Sequence, residues 1–258
     1  MIARVRACLL IALCVLGFSG GTALGAEIKI MSGGAPKEVL AILIPEFEKK
    51  TGHKVQMTYI VINAMQQKLA AGEKPDMVLM PVPAIEARVK DGMFRSDGWA
   101  ALGTVSIGLI VRKGAPKPDI ATLDSFKKAM LDAKSIAHAN PAATPSGAHF
   151  AKVWDQLGIA DALKPKLAFR NALDGGVSAV SKGDAEIGLY PLSEVLHDDG
   201  VTVVGLIPQE VQFNNVYGTA VLKANEAPEP AMAFVKFVTD PSNAKHWKDG
   251  GFGPAASR

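Results

Sequence analysis

Two stretches of small residues have the composition of an anion-binding turn. Ser32, Gly33 and Gly34 follow a short apolar strand pattern, and a helix pattern begins directly after them. Ser146 and Gly147 hold the same position in the middle of the chain, where Ser146 is the predicted helix N-cap. Small side chains let backbone N–H groups approach a ligand, and N–H groups at a helix start lack intrahelical partners. Each stretch predicts either an ordinary strand-to-helix turn or half of an anion site.

Five further residues could add charge, a proton or N–H groups. His149, one turn into the second of these helices, could donate to a carboxylate or transfer a proton. Arg170 has the fork geometry that suits a carboxylate, and Tyr190 ends a strand pattern, where open α/β sheets bind ligands. Gly176 and Val177 begin another helix after a glycine-rich turn. The alternatives are a hydrogen-bonded surface histidine, a surface arginine and ordinary turn residues.

The signatures of several other protein classes are absent from the sequence. It contains no phosphate-loop lysine motif and no nucleophile-elbow serine pattern. The 5 histidines lack the spacing of metal ligands, so we expect neither a metal nor another cofactor. No basic stripe of the kind that binds nucleic acid is visible, so a nucleic-acid partner is not expected.

Residues 1–25 predict a secretory signal peptide. Arg4 and Arg6 precede an apolar run, and small residues follow it at the cleavage position, after Gly25 or else after Ala26. Both cysteines lie in this segment, so the exported chain is expected to have no disulfide. Its net charge is about +1, since 28 basic residues lose two against 25 acidic ones. We expect a periplasmic protein with no stable membrane insertion.

Strand and helix patterns alternate along most of the chain, which predicts an α/β fold with mainly parallel sheets flanked by helices. Long strand patterns at residues 104–112 and 212–222 are candidate crossover strands between two lobes. A ligand cleft would lie between the lobes, and the crossovers would act as a hinge. Pro45 should kink or split the first helix. The predicted lobes are residues 26–108 with 215–258, and residues 109–214.

Most of the exported chain resembles the molybdate-type periplasmic substrate-binding proteins of ABC transporters. The resemblance implies the type II two-lobed fold and a monomer that captures a small anion, either an oxyanion or an organic carboxylate. It also implies delivery of that anion to an ABC permease. The resemblance rests on the order and spacing of residues 32–36, 47–55, 70–76, 145–147, 182–190 and 233–238.

In that family a dry pocket holds the oxyanion through hydroxyls and backbone N–H groups. The family has a serine that falls at residues 62–63, where this chain has Ile62 and Asn63. His149 and Arg170 would suit an organic carboxylate better than a pocket lined only by hydroxyls. The contacts implied by the resemblance fall at Ser32, Gly33, Ile62 or Asn63, Ser146, Gly176, Val177 and Tyr190.

The sequence also permits a second class of function, catalysis of an isomerisation, because periplasmic aconitate isomerases resemble the same family. They move a proton and a double bond within a tricarboxylate without a cofactor, which requires a base and an acid beside the ligand. His149 is then the candidate base, and Tyr190 or a residue near Asn63 the candidate acid. Ser32, Ser146 and Arg170 would hold carboxylates. We prefer binding to isomerisation, since binding requires only the fold whereas catalysis requires exact placement.

Overall fold

The computed structural model describes residues 25–254, so the predicted signal peptide and both cysteines lie outside the described residues, apart from Gly25. The described chain forms two β-sheets with helices packed on them, and we call each sheet with its helices a lobe. None of the helices within residues 25–254 combines the length and the apolar character that a membrane crossing requires.

The strands are β1 (Glu27–Ser32), β2 (Lys54–Tyr59), β3 (Met77–Pro81), β4 (Phe94–Val105), β5 (Ile107–Arg112), β6 (Ile136–His138), β7 (Leu167–Phe169), β8 (Ile187–Pro191), β9 (Val201–Leu206), β10 (Asn215–Leu222) and β11 (Phe252–Gly253). The α-helices are α1 (Lys37–Thr51), α2 (Ile62–Ala70), α3 (Val82–Lys90), α4 (Leu123–Asp132), α5 (Pro145–Gln156), α6 (Ala160–Leu163), α7 (Gly176–Lys182), α8 (Glu229–Val238) and α9 (Ala244–Asp249). Short 3-10 helices cover Lys164–Lys166, Ala172–Asp174, Leu192–Glu194, Gln209–Val211 and Pro241–Asn243.

The sheet of the first lobe has the strand order β11-β4-β10-β3-β1-β2, and that of the second lobe has the order β7-β6-β8-β5-β9. In the first sheet β1 is parallel to β2 and β3, whereas β10 and β11 pair antiparallel with their neighbours. In the second sheet β6 is parallel to β7 and β8, whereas β5 is antiparallel to β8 and β9. Both sheets are therefore mixed rather than mainly parallel, because the strands next to the crossovers run against their neighbours.

The chain passes between the two sheets twice, at Ser106 and again between β9 and β10. The Ser106 hydroxyl donates a hydrogen bond to Asn214 Oδ1 at 2.8 Å. Gln212 Oε1 accepts from the Ile107 N–H at 2.7 Å, and Gln212 Nε2 donates to the Ile107 carbonyl at 3.1 Å. The predicted strand at residues 104–112 is thus divided at Ser106. The two crossings lie side by side and are joined through their side chains.

Helices cover both faces of each sheet. Successive side chains of a strand point to opposite faces, so neighbouring residues enter different cores. In β1, Ile30 packs in one apolar cluster and Met31 in the cluster on the other face. In β5, Leu109 and Ile110 are divided in the same way. Each lobe therefore has its own pair of apolar layers, and the cleft lies between the two lobes.

Helix α1 continues through Pro45 as one helix, so the expected split does not occur, and the expected kink stays a prediction. Pro45 lacks the N–H that would bond the carbonyl of Ala41, four residues earlier. Both residues are exposed, so water can satisfy that carbonyl. The buried side of the helix, with Leu43 and Phe47, packs on the first sheet and holds the helix in place.

Candidate functional site

A cavity of about 50 Å³ lies between the two lobes, beside the crossovers. This volume holds several water molecules or a small solute. No cluster of histidine, cysteine, aspartate or glutamate that could hold a metal ion occurs in the part of the chain that the structure describes. The cavity is lined by Gly33, Gly34, Ile60, Val61, Ile62, Val105, Ile107, Ala139, Thr144, Pro145, Ser146, Asn171, Ala172, Leu173, Pro191, Glu194, Phe213, Asn215 and Tyr217.

The first-lobe wall presents bare backbone just before α1. A Cβ on Gly34 would lie 2.5 Å from Glu194 Oε1 of the second lobe, and a Cβ on Gly33 would lie 2.8 Å from Tyr217 Oη. Both distances are shorter than an ordinary Cβ contact, so a side chain at either glycine would displace the Glu194 carboxyl or the Tyr217 hydroxyl. The N–H of Gly34 has no hydrogen-bond partner among residues 25–254. This N–H remains available to a ligand.

The second-lobe wall carries hydroxyl groups at the start of α5. The N-cap is Thr144, not Ser146 as predicted: Thr144 is extended (φ −139°, ψ 152°), and its Oγ1 accepts from the Gly147 N–H at 3.0 Å. Pro145 explains the shift, since the residue before a proline is driven to an extended conformation and proline favours the first helical position. Ser146 Oγ lies 3.3 Å from Thr144 Oγ1, and both residues line the cavity.

Glu194 places a carboxyl group in the cleft without a cation beside it. It ends the 3-10 helix that follows β8, and it has no hydrogen-bond or ion-pair partner among the described residues. Burial raises the pKa of Glu194 to about 7. Burial, and then the nearby Glu194 charge, raise the pKa of Tyr217, so this phenol stays protonated. No lysine, arginine or histidine is among the residues that line the cavity.

Asn63 joins the two lobes at the rim of the cleft. Its Nδ2 donates to the Ala142 carbonyl at 2.6 Å, and its backbone N–H donates to the Ala143 carbonyl at 3.2 Å. Asn63 is not among the residues that line the cavity. Its side chain therefore connects the start of α2 to the loop before α5, and its predicted contact with a ligand stays a prediction.

His149, Arg170 and Tyr190 lie outside the lining of the cavity. His149 Nε2 is 2.8 Å from the Val211 carbonyl, and the ring stacks on Phe213 with 5.0 Å between centroids. Arg170 is exposed, and its carbonyl accepts a hydrogen bond from Tyr190 Oη at 3.0 Å. The structure thus gives these three side chains partners or positions within the second lobe, and their ligand or catalytic roles stay predictions.

The remaining predicted residues lie behind the walls. Ser32 is buried, and its Oγ donates to the Gly33 carbonyl at 2.9 Å. A Cβ on Gly147 would meet backbone carbonyls at 2.4 to 2.5 Å, so this glycine lets α5 pack closely on the loop after β6. A Cβ on Gly176 would lie 2.4 Å from Tyr190 Oη, and Val177 packs in the apolar core. Their contacts with a ligand stay predictions too.

His138 lies directly behind the second-lobe wall, next to the cavity-lining Ala139. It is fully buried, with Nδ1 2.8 Å from the Ala139 carbonyl and Nε2 accepting from Trp154 Nε1 at 3.4 Å. Burial lowers the pKa of His138 to about 4, against a smaller opposing effect of the Ala139 hydrogen bond. This histidine is therefore a neutral structural group that supports the wall.

Glu194, Tyr217 and Asn171 line the cavity without having been predicted. Glu194 lies shortly after the carboxyl end of β8, the region where open α/β sheets bind ligands, so its place in the sequence is a signal for the site. Tyr217 lies in the long crossover pattern, and the cleft lies beside the crossovers. Asn171 has no distinguishing signal in the sequence. Its side chain is engaged within the second lobe, since Oδ1 accepts from the Asn140 N–H at 3.1 Å.

Two mixed α/β lobes, two adjacent crossings and a cavity between the lobes define a two-lobed binding protein of type II, as predicted. The chain belongs to the family described as bacterial extracellular solute-binding protein, which matches residues 28–253. This membership confirms the predicted class of protein.

Individual relatives cover almost the whole described chain. The aconitate isomerase of Pseudomonas sp. is 29% identical over 237 residues, which are 90% of this chain and 89% of that protein. The molybdate-binding protein ModA of Escherichia coli (strain K12) is 24% identical over 241 residues, covering 90% and 91%. The solved structure of the Azotobacter vinelandii periplasmic molybdate-binding protein superposes with a TM-score of 0.73 at 17% identity, covering 87% and 98%.

Proposed function

We propose that the protein captures a small organic acid in the cleft between its lobes. The observation that carries this proposal is the cavity lining, which contains Gly34, whose N–H has no partner, and the hydroxyl residues Thr144 and Ser146, without a cationic side chain. Neutral donors of this kind hold carboxylate oxygens through hydrogen bonds. Of the predicted ligand residues, Gly33, Gly34 and Ser146 would contact the acid, together with Thr144.

The relatives support an anionic ligand. One is named for molybdate and another for aconitate, and both match along most of their length. The Glu194 carboxyl favours an organic acid that carries its own O–H donor over molybdate, because a fully deprotonated oxyanion brings no proton to place between itself and a carboxylate.

Closure about the joined crossovers would bury the ligand, with Asn63 bridging the rim. The closed form would present one combined surface of both lobes to an ABC permease in the periplasm. Cell fractionation of the full-length chain tests this location. Recovery of the processed protein in the cytoplasm would contradict it.

Thermal-shift and calorimetric titrations of the purified protein test the proposed capture. The panel contains molybdate, sulfate, succinate, citrate, and cis- and trans-aconitate. We expect at least one organic acid to raise the Tm, because a ligand that binds only the folded state stabilises it. Ser146→Ala should weaken that binding about fivefold, by loss of one hydrogen bond. Failure of every organic acid to raise the Tm would contradict the proposal.

A second candidate function is the isomerisation of aconitate. Two observations favour it: the similarity to the Pseudomonas enzyme, and the presence of two titratable groups, Glu194 and Tyr217, in the cavity lining. A group with a pKa near the working pH can take and return a proton, and Glu194 has a pKa of about 7. His149, the base predicted from sequence, has its Nε2 on the Val211 carbonyl instead.

Proton NMR of cis- and trans-aconitate incubated with the protein separates the two functions. Turnover without added cofactor would establish the isomerase, and tight binding without turnover would exclude it. Loss of turnover in Glu194→Gln with retention in His149→Ala would assign the proton transfer to the cleft carboxyl. The reverse pattern would restore His149 as the base.

A further inference from the structure

The cleft holds a carboxyl group at the place where an anion is expected to bind. Glu194 Oε1 packs so closely on Gly34 that no side chain fits between them. Gly34 is also the residue whose free N–H is offered to the ligand. An ionised Glu194 would therefore stand beside a bound anion with little water between them, where repulsion between like charges is strong.

The groups around Glu194 do not neutralise it. Burial, and then the Glu194 charge, raise the pKa of two titratable side chains, Tyr190 from β8 and Tyr217 from β10. Helix α1 packs against the 3-10 helix that carries Glu194, but its first charged residues, exposed Lys37 and half-buried Glu38, make no hydrogen bond or ion pair with it. The turn at residues 250–251, which contacts neighbouring Ser193, consists of glycine.

We infer that Glu194 makes ligand capture proton-selective. A fully deprotonated anion binds only when Glu194 takes up a proton, whereas a ligand with its own hydroxyl donor binds to the ionised carboxylate without proton uptake. The inference rests on the proposed capture of an organic acid. It adds that the Glu194 carboxyl group decides which acids bind at neutral and alkaline pH.

The proton balance differs between the two kinds of ligand. When a fully deprotonated anion binds, one proton moves from solvent to Glu194, and the resulting carboxylic acid donates a hydrogen bond to the ligand. When a hydroxy acid binds, its O–H donates to the carboxylate and no proton enters from solvent. The pKa of Glu194, about 7 in the ligand-free protein, places the difference in an accessible pH range.

Calorimetry in buffers of different ionisation enthalpy measures this proton uptake directly. The probes are tricarballylate and citrate, which have the same three carboxylates and differ by one hydroxyl, with molybdate as a fully deprotonated oxyanion. At pH 8 we expect uptake of about one proton with tricarballylate or molybdate and about none with citrate. The affinity for tricarballylate should then fall about tenfold per pH unit above pH 8, while that for citrate stays nearly constant.

Glu194→Gln removes the titration and keeps the shape, since the glutamine amide donates to an anion at any pH. We expect this variant to bind tricarballylate without proton uptake and about tenfold more tightly than the natural protein at pH 8. Glu210→Gln is the matched control, because Glu210 is an exposed carboxylate in the same lobe. It removes the same charge and should leave the proton uptake unchanged.

Each outcome of these titrations either supports the inference or overturns it. Binding of citrate alone by the natural protein, with tricarballylate gained in Glu194→Gln, supports it. Binding of tricarballylate without proton uptake, or uptake that persists in Glu194→Gln, overturns it and leaves the proposed capture intact. Absence of binding by every probe in both proteins overturns the inference, and the proposed function is then decided by the remaining acids of the thermal-shift panel. Should Glu194→Gln fail to fold, the two-buffer measurement on the natural protein is sufficient.

Discussion

The two lobes present different kinds of chemical groups to the cleft. The first lobe contributes glycine backbone, apolar side chains and the Asn215 amide, and its one titratable lining group, Tyr217, stays protonated. The second lobe contributes the hydroxyls of Thr144 and Ser146 and the Glu194 carboxyl. One wall therefore provides shape, and the other provides most of the chemistry that distinguishes one anion from another.

This division predicts that the two walls of the cleft are sensitive to different kinds of substitution. A wall made of backbone is damaged by added atoms, because the opposite lobe must come within contact distance. A wall made of polar side chains is damaged by lost atoms or by altered protonation. The following predictions separate these two kinds of sensitivity.

Acid should destabilise the second lobe through His138. The pKa of this buried histidine is lowered to about 4, so its stabilising contribution is present above the unfolded value of 6.5 and is lost as the pH falls toward 4. Urea unfolding at pH 7 and pH 4 should show a loss of about 3 kcal/mol from this group.

His138→Gln removes the titration and should remove that part of the pH dependence. His246→Gln, at a half-buried site in the first lobe, is the control that should retain it. An equal pH dependence in both variants would refute the assignment to the second lobe.

Gly34→Ala should damage the first-lobe wall by overpacking. Its Cβ would lie 2.5 Å from Glu194 Oε1 and 3.1 Å from Leu173 Cγ, so the flexible Glu194 side chain must move, which opposes closure by about 1.4 kcal/mol and lowers affinity about tenfold in calorimetry. Gly205→Ala is the control, because the nearest atom to its Cβ is 3.9 Å away. Adding Glu194→Ala to Gly34→Ala should recover closure, and failure to recover it would show that the contact is not the cause.

Thr144→Ala should remove a helix cap and a cleft hydroxyl together. Thr122 caps α4 away from the cleft, with its Oγ1 accepting from the Ser125 N–H at 3.1 Å, so Thr122→Ala is the matched control. Each change should lower the free energy of unfolding by about 1 kcal/mol. Ligand affinity should fall only in Thr144→Ala, and an equal fall in both would show that the hydroxyl acts through stability alone.

Asn63→Ala should have the smallest effect. It removes an exposed hydrogen bond across the rim, which lowers the stability of the closed form by about 0.5 kcal/mol and affinity about twofold. Asn225→Ala removes a half-buried asparagine from a first-lobe loop and should leave affinity unchanged. A loss of tenfold or more in Asn63→Ala would instead indicate direct contact with the ligand.

The alternation of patterns was sufficient to predict two α/β lobes with two crossings. It could not predict strand direction, because helices bury both faces of these sheets: β3, parallel to β1, and β5, antiparallel to β8, are both continuous buried runs. The continuous helix through Pro45 was also missed, since the outcome depended on whether Ala41 and Pro45 face water. That exposure is set by tertiary packing.

The sequence predicts the glycine backbone of the candidate site, but it does not predict the Glu194 carboxyl group. Gly33 and Gly34 are recognisable because a small-residue turn before a helix has few uses. Glu194 resembles any surface glutamate in sequence, and only the approach of the opposite lobe encloses it. The helix cap lies at Thr144 and not at the predicted Ser146, because the residue before a proline is driven to an extended conformation.

The order of strands in the first sheet sets the order in which the lobes can be completed. β10 pairs with both β3 and β4, yet residues 215–222 follow the entire second sheet in the chain. As the polypeptide lengthens during synthesis, β5 to β9 emerge as one uninterrupted unit and can assemble first. The first lobe cannot close its sheet until nearly the whole chain is present, so a delay in folding is built into the topology. Export through a membrane, which the predicted signal peptide implies, would benefit from that delay, because an exported chain crosses the membrane before it folds.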